Sequence, residues 1–132
     1  CDFEYIAHSD GDVLLHSLCD ALLGAAGLGD IGELFPDTDN KYSNMPSENF
    51  VKEVMMLLEK KKLSIINIDS TIILEKPKLK NYKDKIRENI ARVCSIDSGK
   101  VNIKAKTSEK MGFVGRLEGI ESYTVCELTS KV

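Results

Sequence analysis

IINIDSTIIL, residues 65–74, alternates apolar and polar side chains along its length. A period of two is typical of a β-strand that buries one face. The polar face would carry Asn67, Asp69 and Thr71. Pro77 follows, and since proline has no amide hydrogen to donate, it ends the strand. The predicted buried face consists of Ile66, Ile68, Ser70, Ile72 and Leu74.

A helix and two further strands are predicted on the C-terminal side. Residues 81–94 have apolar positions at three- and four-residue steps, typical of a helix, and these positions are Tyr82, Ile86, Ile90 and Val93. Residues 100–106 alternate again, and a last strand is expected at about 120–129. Strand–helix–strand units imply a sheet covered by helices.

Two helices are predicted on the N-terminal side. The first runs from Gly11 to Ala26, where Ser9 or Asp10 would cap its start. The second runs from about Ser47 to Lys62. A loop covers residues 30–46 between them, because glycine, proline and asparagine recur there.

The predicted fold class is α+β (an α/β layer). The order is helix, helix, strand, helix, strand, strand, with a further strand expected before residue 8. This gives a mixed sheet of about four strands, covered on one face by helices, in a single domain at 1–132. The chain begins at Cys1 without Met and its opening resembles the end of a strand or loop, so we expect an N-terminal strand and loop segment to be missing.

The composition bears on which classes of partner and which compartment to expect. The sequence is 42% apolar and 30% charged, typical of a globular chain, and its net charge of -3 does not favour nucleic-acid or membrane partners. No apolar run approaches the length of a membrane span. The cysteines are scattered without a Cys-x-x-Cys pair, which favours a reducing cytoplasm.

Residues 8–39 hold both histidines, His8 and His16, together with a concentration of aspartates. Imidazole and carboxylate groups are ligands of zinc and of harder divalent ions. His16 and Asp20 lie four apart and share a helix face, so a hydrogen bond between them is the simpler interpretation. A catalytic zinc usually takes three protein ligands, so the two histidines do not complete a site.

Two later segments suit phosphate. Lys106-Thr107-Ser108-Glu109 follows a predicted strand, where hydroxyls, amides and a carboxylate can meet a phosphate and its divalent ion. Pro77-Lys78 lies in a similar position. Taken alone, each is more simply a polar turn. Gly112–Arg116 lacks the spacing of a dinucleotide fingerprint.

Together these segments resemble the 2-C-methyl-D-erythritol 2,4-cyclodiphosphate synthase family, in order and over essentially the whole chain. The N-terminal motifs are AHSDGDV at 7–13, DALLGAA at 20–26, GDIG at 29–32 and LFPDTD at 34–39. The later motifs are Pro77-Lys78, VNIKA at 101–105, EKMGF at 109–113 and Gly115-Arg116.

The resemblance implies a cyclisation in the non-mevalonate route to isoprenoid precursors. The 2-phosphate of 4-diphosphocytidyl-2-C-methyl-D-erythritol 2-phosphate attacks the β-phosphorus, giving the 2,4-cyclodiphosphate and releasing CMP. Such a phosphoryl transfer depends mainly on positioning and on stabilisation of charge. The implied class is a metal-dependent phosphorus–oxygen lyase.

The resemblance also assigns catalytic and metal-binding roles. His8 would stabilise the transition state and Thr107 would polarise the diphosphate. His16 would hold Zn²⁺ with an Asp-x-His pair that this sequence does not contain. Glu109 would hold a second divalent ion, Mg²⁺ or Mn²⁺.

Substrate contacts are implied position by position. Phosphate would meet His8 and Ser9. The erythritol hydroxyls would meet Asp30, Ile31 and Gly32, with the same end lined by Phe35, Pro36, Asp37, Thr38 and Asp39. The cytidine pocket would comprise Leu74, Pro77, Lys78, Leu79 and Lys80. The remaining ligand-side positions are Lys106, Thr107, Ser108, Glu109, Phe113 and Arg116, where Lys106 replaces a threonine common in the family.

The implied assembly is a homotrimer with each active site between subunits, in the bacterial cytoplasm, or in a plastid if a transit segment preceded the chain. Two other hypotheses remain open at this point. One is a metal-dependent phosphoesterase on the same scaffold, in which water replaces the internal phosphate as nucleophile. The other is a non-catalytic trimeric scaffold that binds a nucleotide or an isoprenoid.

Overall fold

The computed structural model describes residues 2–36, 38, 40–42, 45–73, 82–106 and 121–131, with the backbone alone for residues 2–10. Its helices are α1 Asp2–Ala25, α2 Ile31–Leu34, α3 Ser47–Lys60 and α4 Lys83–Cys94. Its strands are β1 Leu63–Ile73, β2 Val101–Lys106 and β3 Glu121–Ser130. The predicted order of long elements is confirmed. The short helices α2 and Ser98–Lys100 were not predicted.

The described strands form one mixed sheet in the order β2-β1-β3. β1 is parallel to β2, with Ile68 opposite Val101. It is antiparallel to β3, with Leu63 opposite Ser130. The mixed sheet is therefore confirmed, with three strands among the described residues where about four were predicted.

The predicted start of the first helix is wrong. α1 begins at Asp2, so residues 2–10 are helical where a strand or loop was expected, and Ser9 and Asp10 lie inside the helix instead of capping it. No proline interrupts residues 2–10. Once a helix exists, each added residue gains a hydrogen bond without a new nucleus, so extension past Gly11 outweighs the roughly 1 kcal/mol that glycine costs in a helix.

One face of β1 was also predicted wrongly. Ile66 is exposed, and Ile65 is buried in its place. The reason is a register irregularity between Ile65 and Asn67 in the pairing with β3, which shifts the alternation by one residue. Beyond it, Ile68, Ser70 and Ile72 point inward as predicted.

Helices cover one face of the sheet. α1 packs on β3 and on α3, and α4 packs on β2. On the opposite face Tyr123 and Val125 are 58% and 70% exposed. Among the described residues, no helix is both long and apolar enough to span a membrane. The core between the helices and the sheet includes Leu14, Leu18, Leu22, Val51, Val54, Leu58, Ile68, Ile72 and Ile90.

Candidate active site

His16 lies on the exposed side of α1, because the neighbouring Leu14, Leu15 and Leu18 occupy the buried side. Its Nε2 lies 3.5 Å from Oγ of Ser47, at the first turn of α3. The imidazole also meets the ring of Phe50 edge to face, with centroids 6.1 Å apart and planes at 89°. The predicted ligand is thus an exposed histidine whose ring is held from the α3 side.

An aromatic cluster of Phe35, Tyr42 and Phe50 stands next to His16. The Phe35 centroid is 5.2 Å from that of Tyr42 and 5.6 Å from that of Phe50. Phe35 is buried, and Lys41 Nζ lies 5.3 Å from the Tyr42 centroid. Tilted and edge-to-face pairs stabilise such clusters beyond their burial. The cluster joins the segment after α2, where a hydroxyl-binding end was predicted, to the helix that contacts His16.

Two aspartates of the acidic segment hold the backbone at α2. Asp30 is the N-cap of α2, and its Oδ1 accepts from Glu33 N at 2.9 Å. Asp20 Oδ1 accepts from Ile31 N, also at 2.9 Å. Asp20 therefore binds the start of α2 instead of His16, and the simpler interpretation of a His16–Asp20 pair is not what the structure shows. Both carboxylates order the segment that carries Ile31 and Gly32.

A chain of three hydroxyls fixes α1 on the sheet. Ser17 Oγ donates to Thr124 Oγ1 at 2.6 Å, and Thr124 Oγ1 lies 2.9 Å from Ser70 Oγ. Ser70 is fully buried, so its hydroxyl needs this partner. Since Ser17 directly follows His16, the same contacts fix the rotation of α1 that presents the imidazole.

A cavity of about 610 Å³ lies between α1 and the start of α3. Its polar lining includes Asp12, Ser47, Glu48 and Asn89. Arg92 on α4 donates to Glu48 Oε1 and, at 2.6 Å, to Asn89 Oδ1, so both acceptors are occupied.

On the face of the sheet opposite the described helices lies a small charged network. Lys104 Nζ lies 2.9 Å from Asp69 Oδ2, and Asn102 Nδ2 donates to Asp69 Oδ1 at 3.0 Å. The Lys104 hydrogen bond, followed by that of Asn102, lowers the pKa of the Asp69 carboxyl below its usual value. Lys106, a predicted ligand-side residue, is exposed at the end of β2 on this face.

The metal prediction remains a prediction. Within the described ranges, no group of three or more His, Cys, Asp or Glu side chains is placed to hold an ion. His16 supplies one imidazole, and a catalytic zinc takes three protein ligands. The described side chains do not by themselves make a zinc site. Glu109, the predicted ligand of the second ion, lies outside the described residues.

The structure brings together the part of the predicted site on α1 and α2. His16, Asp30, Ile31, Gly32, Phe35, Pro36 and Thr38 are described, and so is Lys106 at the far end of β2. His8 and Ser9 are described by backbone alone, on α1. The other predicted positions lie outside the described residues, namely Asp37, Asp39, Leu74, Pro77, Lys78, Leu79, Lys80, Thr107, Ser108, Glu109, Phe113 and Arg116.

Two residues next to His16 were missed from the sequence. The sequence predicts Ser47 only as the start of a helix, and nothing local distinguishes Phe50 from the other apolar positions of that helix. Their contacts with His16 span 31 and 34 positions of the chain, so no local sequence pattern predicts them. The one available signal is their spacing, since residues three apart share a helix face.

Known proteins match this chain over most of its length. The YgbB family pattern covers residues 1–129. A 2-C-methyl-D-erythritol 2,4-cyclodiphosphate synthase of Francisella tularensis subsp. novicida is 52% identical over 122 residues, covering 92% of this chain and 77% of the relative. One from Clostridium acetobutylicum is 53% identical over 123 residues, covering 93% and 79%.

A solved structure agrees with the sequence match. The Plasmodium falciparum IspF in complex with CDP superposes with a TM-score of 0.81 at 36% identity, covering 91% of this chain and 72% of that one. The fold and the sequence therefore point to the same group of enzymes, and this chain belongs to the YgbB family.

Proposed function

We propose that the chain catalyses the cyclisation of 4-diphosphocytidyl-2-C-methyl-D-erythritol 2-phosphate to the 2,4-cyclodiphosphate, with release of CMP. The observation that carries this is the 52% identity to a curated synthase over 92% of the chain. The family match over residues 1–129 and the TM-score of 0.81 to the CDP-bound relative support the same activity. The reaction is a phosphorus–oxygen lyase reaction in isoprenoid precursor synthesis.

The described residues suit the erythritol end of this substrate. Asp30 uses Oδ1 to cap α2, which leaves Oδ2 to accept from a substrate hydroxyl. Ile31 and Gly32 follow in the first turn, where their orientation is fixed by Asp20. The aromatic cluster behind them limits how far this segment can move. Orientation of this kind is the main contribution a protein makes to an intramolecular phosphoryl transfer.

The nucleotide end is proposed from the relatives. A relative bound to CDP supports a cytidine pocket, and we assign it to Leu74–Lys80. Thr107 and Glu109 would meet the diphosphate, and His8 would stabilise its developing charge. Zn²⁺ at His16 and Mg²⁺ or Mn²⁺ at Glu109 would neutralise phosphate charge when bound.

A homotrimer is proposed from the face of the sheet opposite the described helices. Tyr123 and Val125 are 58% and 70% exposed there, beside the Asp69–Lys104 network. Exposed apolar side chains within a polar surround are typical of interaction surfaces. In such a trimer each active site would lie between neighbouring subunits. The cytoplasmic location also remains a prediction.

Product analysis tests the proposed function. We expect the purified full-length protein, supplied with zinc and magnesium, to convert the substrate into the cyclic diphosphate and CMP. Two open-chain phosphates would instead support the phosphoesterase hypothesis. Binding of CDP without any turnover would support the non-catalytic scaffold.

A further inference from the structure

Ser47 and Phe50 contact His16 from one face of α3. They lie three residues apart, so both side chains project from the same side of that helix. Ser47 Oγ is 3.5 Å from His16 Nε2, and Phe50 meets the imidazole at 89°. This separation is longer than the usual N–H···O hydrogen bond of about 2.7–3.2 Å, so the edge-to-face ring contact is the second, independent constraint on the same side chain.

The surroundings hold both contacting residues in place. Phe50 packs at 5.6 Å from Phe35 and at 6.5 Å from Tyr42, centroid to centroid. On the other side, Ser17 ties α1 to β3 directly after His16. The imidazole is therefore held between two helices whose relative position is fixed by packing that does not involve its own nitrogens.

Ser47 is the first residue of α3. The N-cap position of α3 is Pro46, which makes no side-chain capping hydrogen bond. Serine at a helix start commonly caps the free amides of the first turn. Here the Ser47 hydroxyl lies beside His16 instead.

We propose that Ser47 is a positioning residue for His16, a role that rests on the proposed function. The Nε2–H of His16 donates to Ser47 Oγ, and Phe50 fixes the plane of the ring. Nδ1 then carries the lone pair and is the only ring nitrogen left for a ligand. An outer partner of this kind fixes both the tautomer and the ring orientation of a functional histidine.

The spectroscopic test measures the imidazole N–H directly. In chain labelled with ¹⁵N-histidine, His16→Gln identifies the His16 resonances. We expect wild type to show the proton on Nε2, and Ser47→Ala to speed its exchange with water about 2- to 10-fold, the effect of losing one hydrogen bond. Ser47→Thr keeps a hydroxyl and should retain the slow exchange.

The kinetic test separates positioning from a structural role. Ser47→Ala should lower kcat by roughly 10- to 100-fold, with KM changed less than about 3-fold, and Ser47→Thr should restore most of the rate. Asn49→Ala, an exposed substitution in the same turn, is the matched control and should behave as wild type. Circular dichroism confirms that each variant is folded.

Three results overturn the proposal. They are a proton on Nδ1 in wild type, equal exchange and kcat in Ser47→Ala and Asn49→Ala, or failure of Ser47→Thr to restore what Ser47→Ala loses. If wild type forms no cyclic diphosphate, the proposed function fails, but the exchange rates still decide whether Ser47 holds His16.

Discussion

Replacing Thr124 with valine removes the centre of the hydroxyl chain between α1 and the sheet. The substitution conserves shape, so it deletes an oxygen without opening a cavity. Thr124 Oγ1 has two partners, Ser17 Oγ at 2.6 Å and Ser70 Oγ at 2.9 Å. Ser70 is fully buried, and water cannot replace the lost partner there.

The expected loss follows from burial. An unpaired buried hydroxyl costs about 1–3 kcal/mol, and the half-buried hydrogen bond from Ser17 contributes about 0.5–1.5 kcal/mol. The new methyl group recovers up to about 0.8 kcal/mol. We therefore expect Thr124→Val to lower the free energy of unfolding by about 2 kcal/mol. Urea unfolding at fixed protein concentration measures this, because any oligomer makes stability depend on concentration.

A control and a double variant complete the test. Thr129→Val lies on the same strand with an exposed side chain and should change stability by less than about 0.5 kcal/mol. Adding Ser70→Ala removes the hydroxyl that Thr124→Val leaves unpaired, so the double variant should lose less than the sum of the singles. A Thr124→Val protein as stable as Thr129→Val, or strictly additive losses, would refute the reasoning.

Further predictions concern His16, the buried thiols and Asp69. His16→Ala should change the free energy of unfolding by less than about 0.5 kcal/mol, because the side chain is exposed, yet lower kcat/KM by at least about 100-fold. A variant with unchanged kcat/KM would contradict this. Burial raises the pKa of Cys19 and of Cys94 to about 12, so both should resist alkylation at pH 8 until the chain unfolds, and stability should fall as pH rises above the unfolded thiol value of 9.0. Rapid labelling of native protein would show otherwise. The lowered pKa of Asp69 adds stability that is present above the unfolded pKa of 3.8 and is lost as pH falls through the folded pKa. Asp69→Asn should therefore reduce the loss of unfolding free energy at acid pH, by less than about 1 kcal/mol since solvent screens the pair with Lys104. If urea titrations show the same loss of unfolding free energy at acid pH in wild type and Asp69→Asn, this contribution of Asp69 is excluded.

Periodicity predicted most of the fold because the long elements each bury one face. α3 and α4 fall within two residues of their predicted bounds, and β2 within one. The sequence could not predict the exposure of Ile66, because a bulge depends on the partner strand. It also could not predict that α1 extends to Asp2, since a helix and a strand compete there without a local signal.

The candidate site was predicted in a different way. Single motifs left polar turns as the simpler interpretation, and only their ordered set resembled a family. That resemblance identified His16 and Asp30, which the structure places on α1 and at the start of α2. It did not identify Ser47 or Phe50, because their link to His16 arises when α3 packs against α1.

The most direct test of the proposed function is ³¹P NMR of a single turnover with excess full-length protein, zinc and magnesium. We predict that the substrate resonances disappear while those of one cyclic diphosphate and of CMP grow in a ratio of about one to one, since an internal phosphate is the nucleophile. Open-chain phosphates, or CMP formed without the cyclic product, would contradict the proposed function.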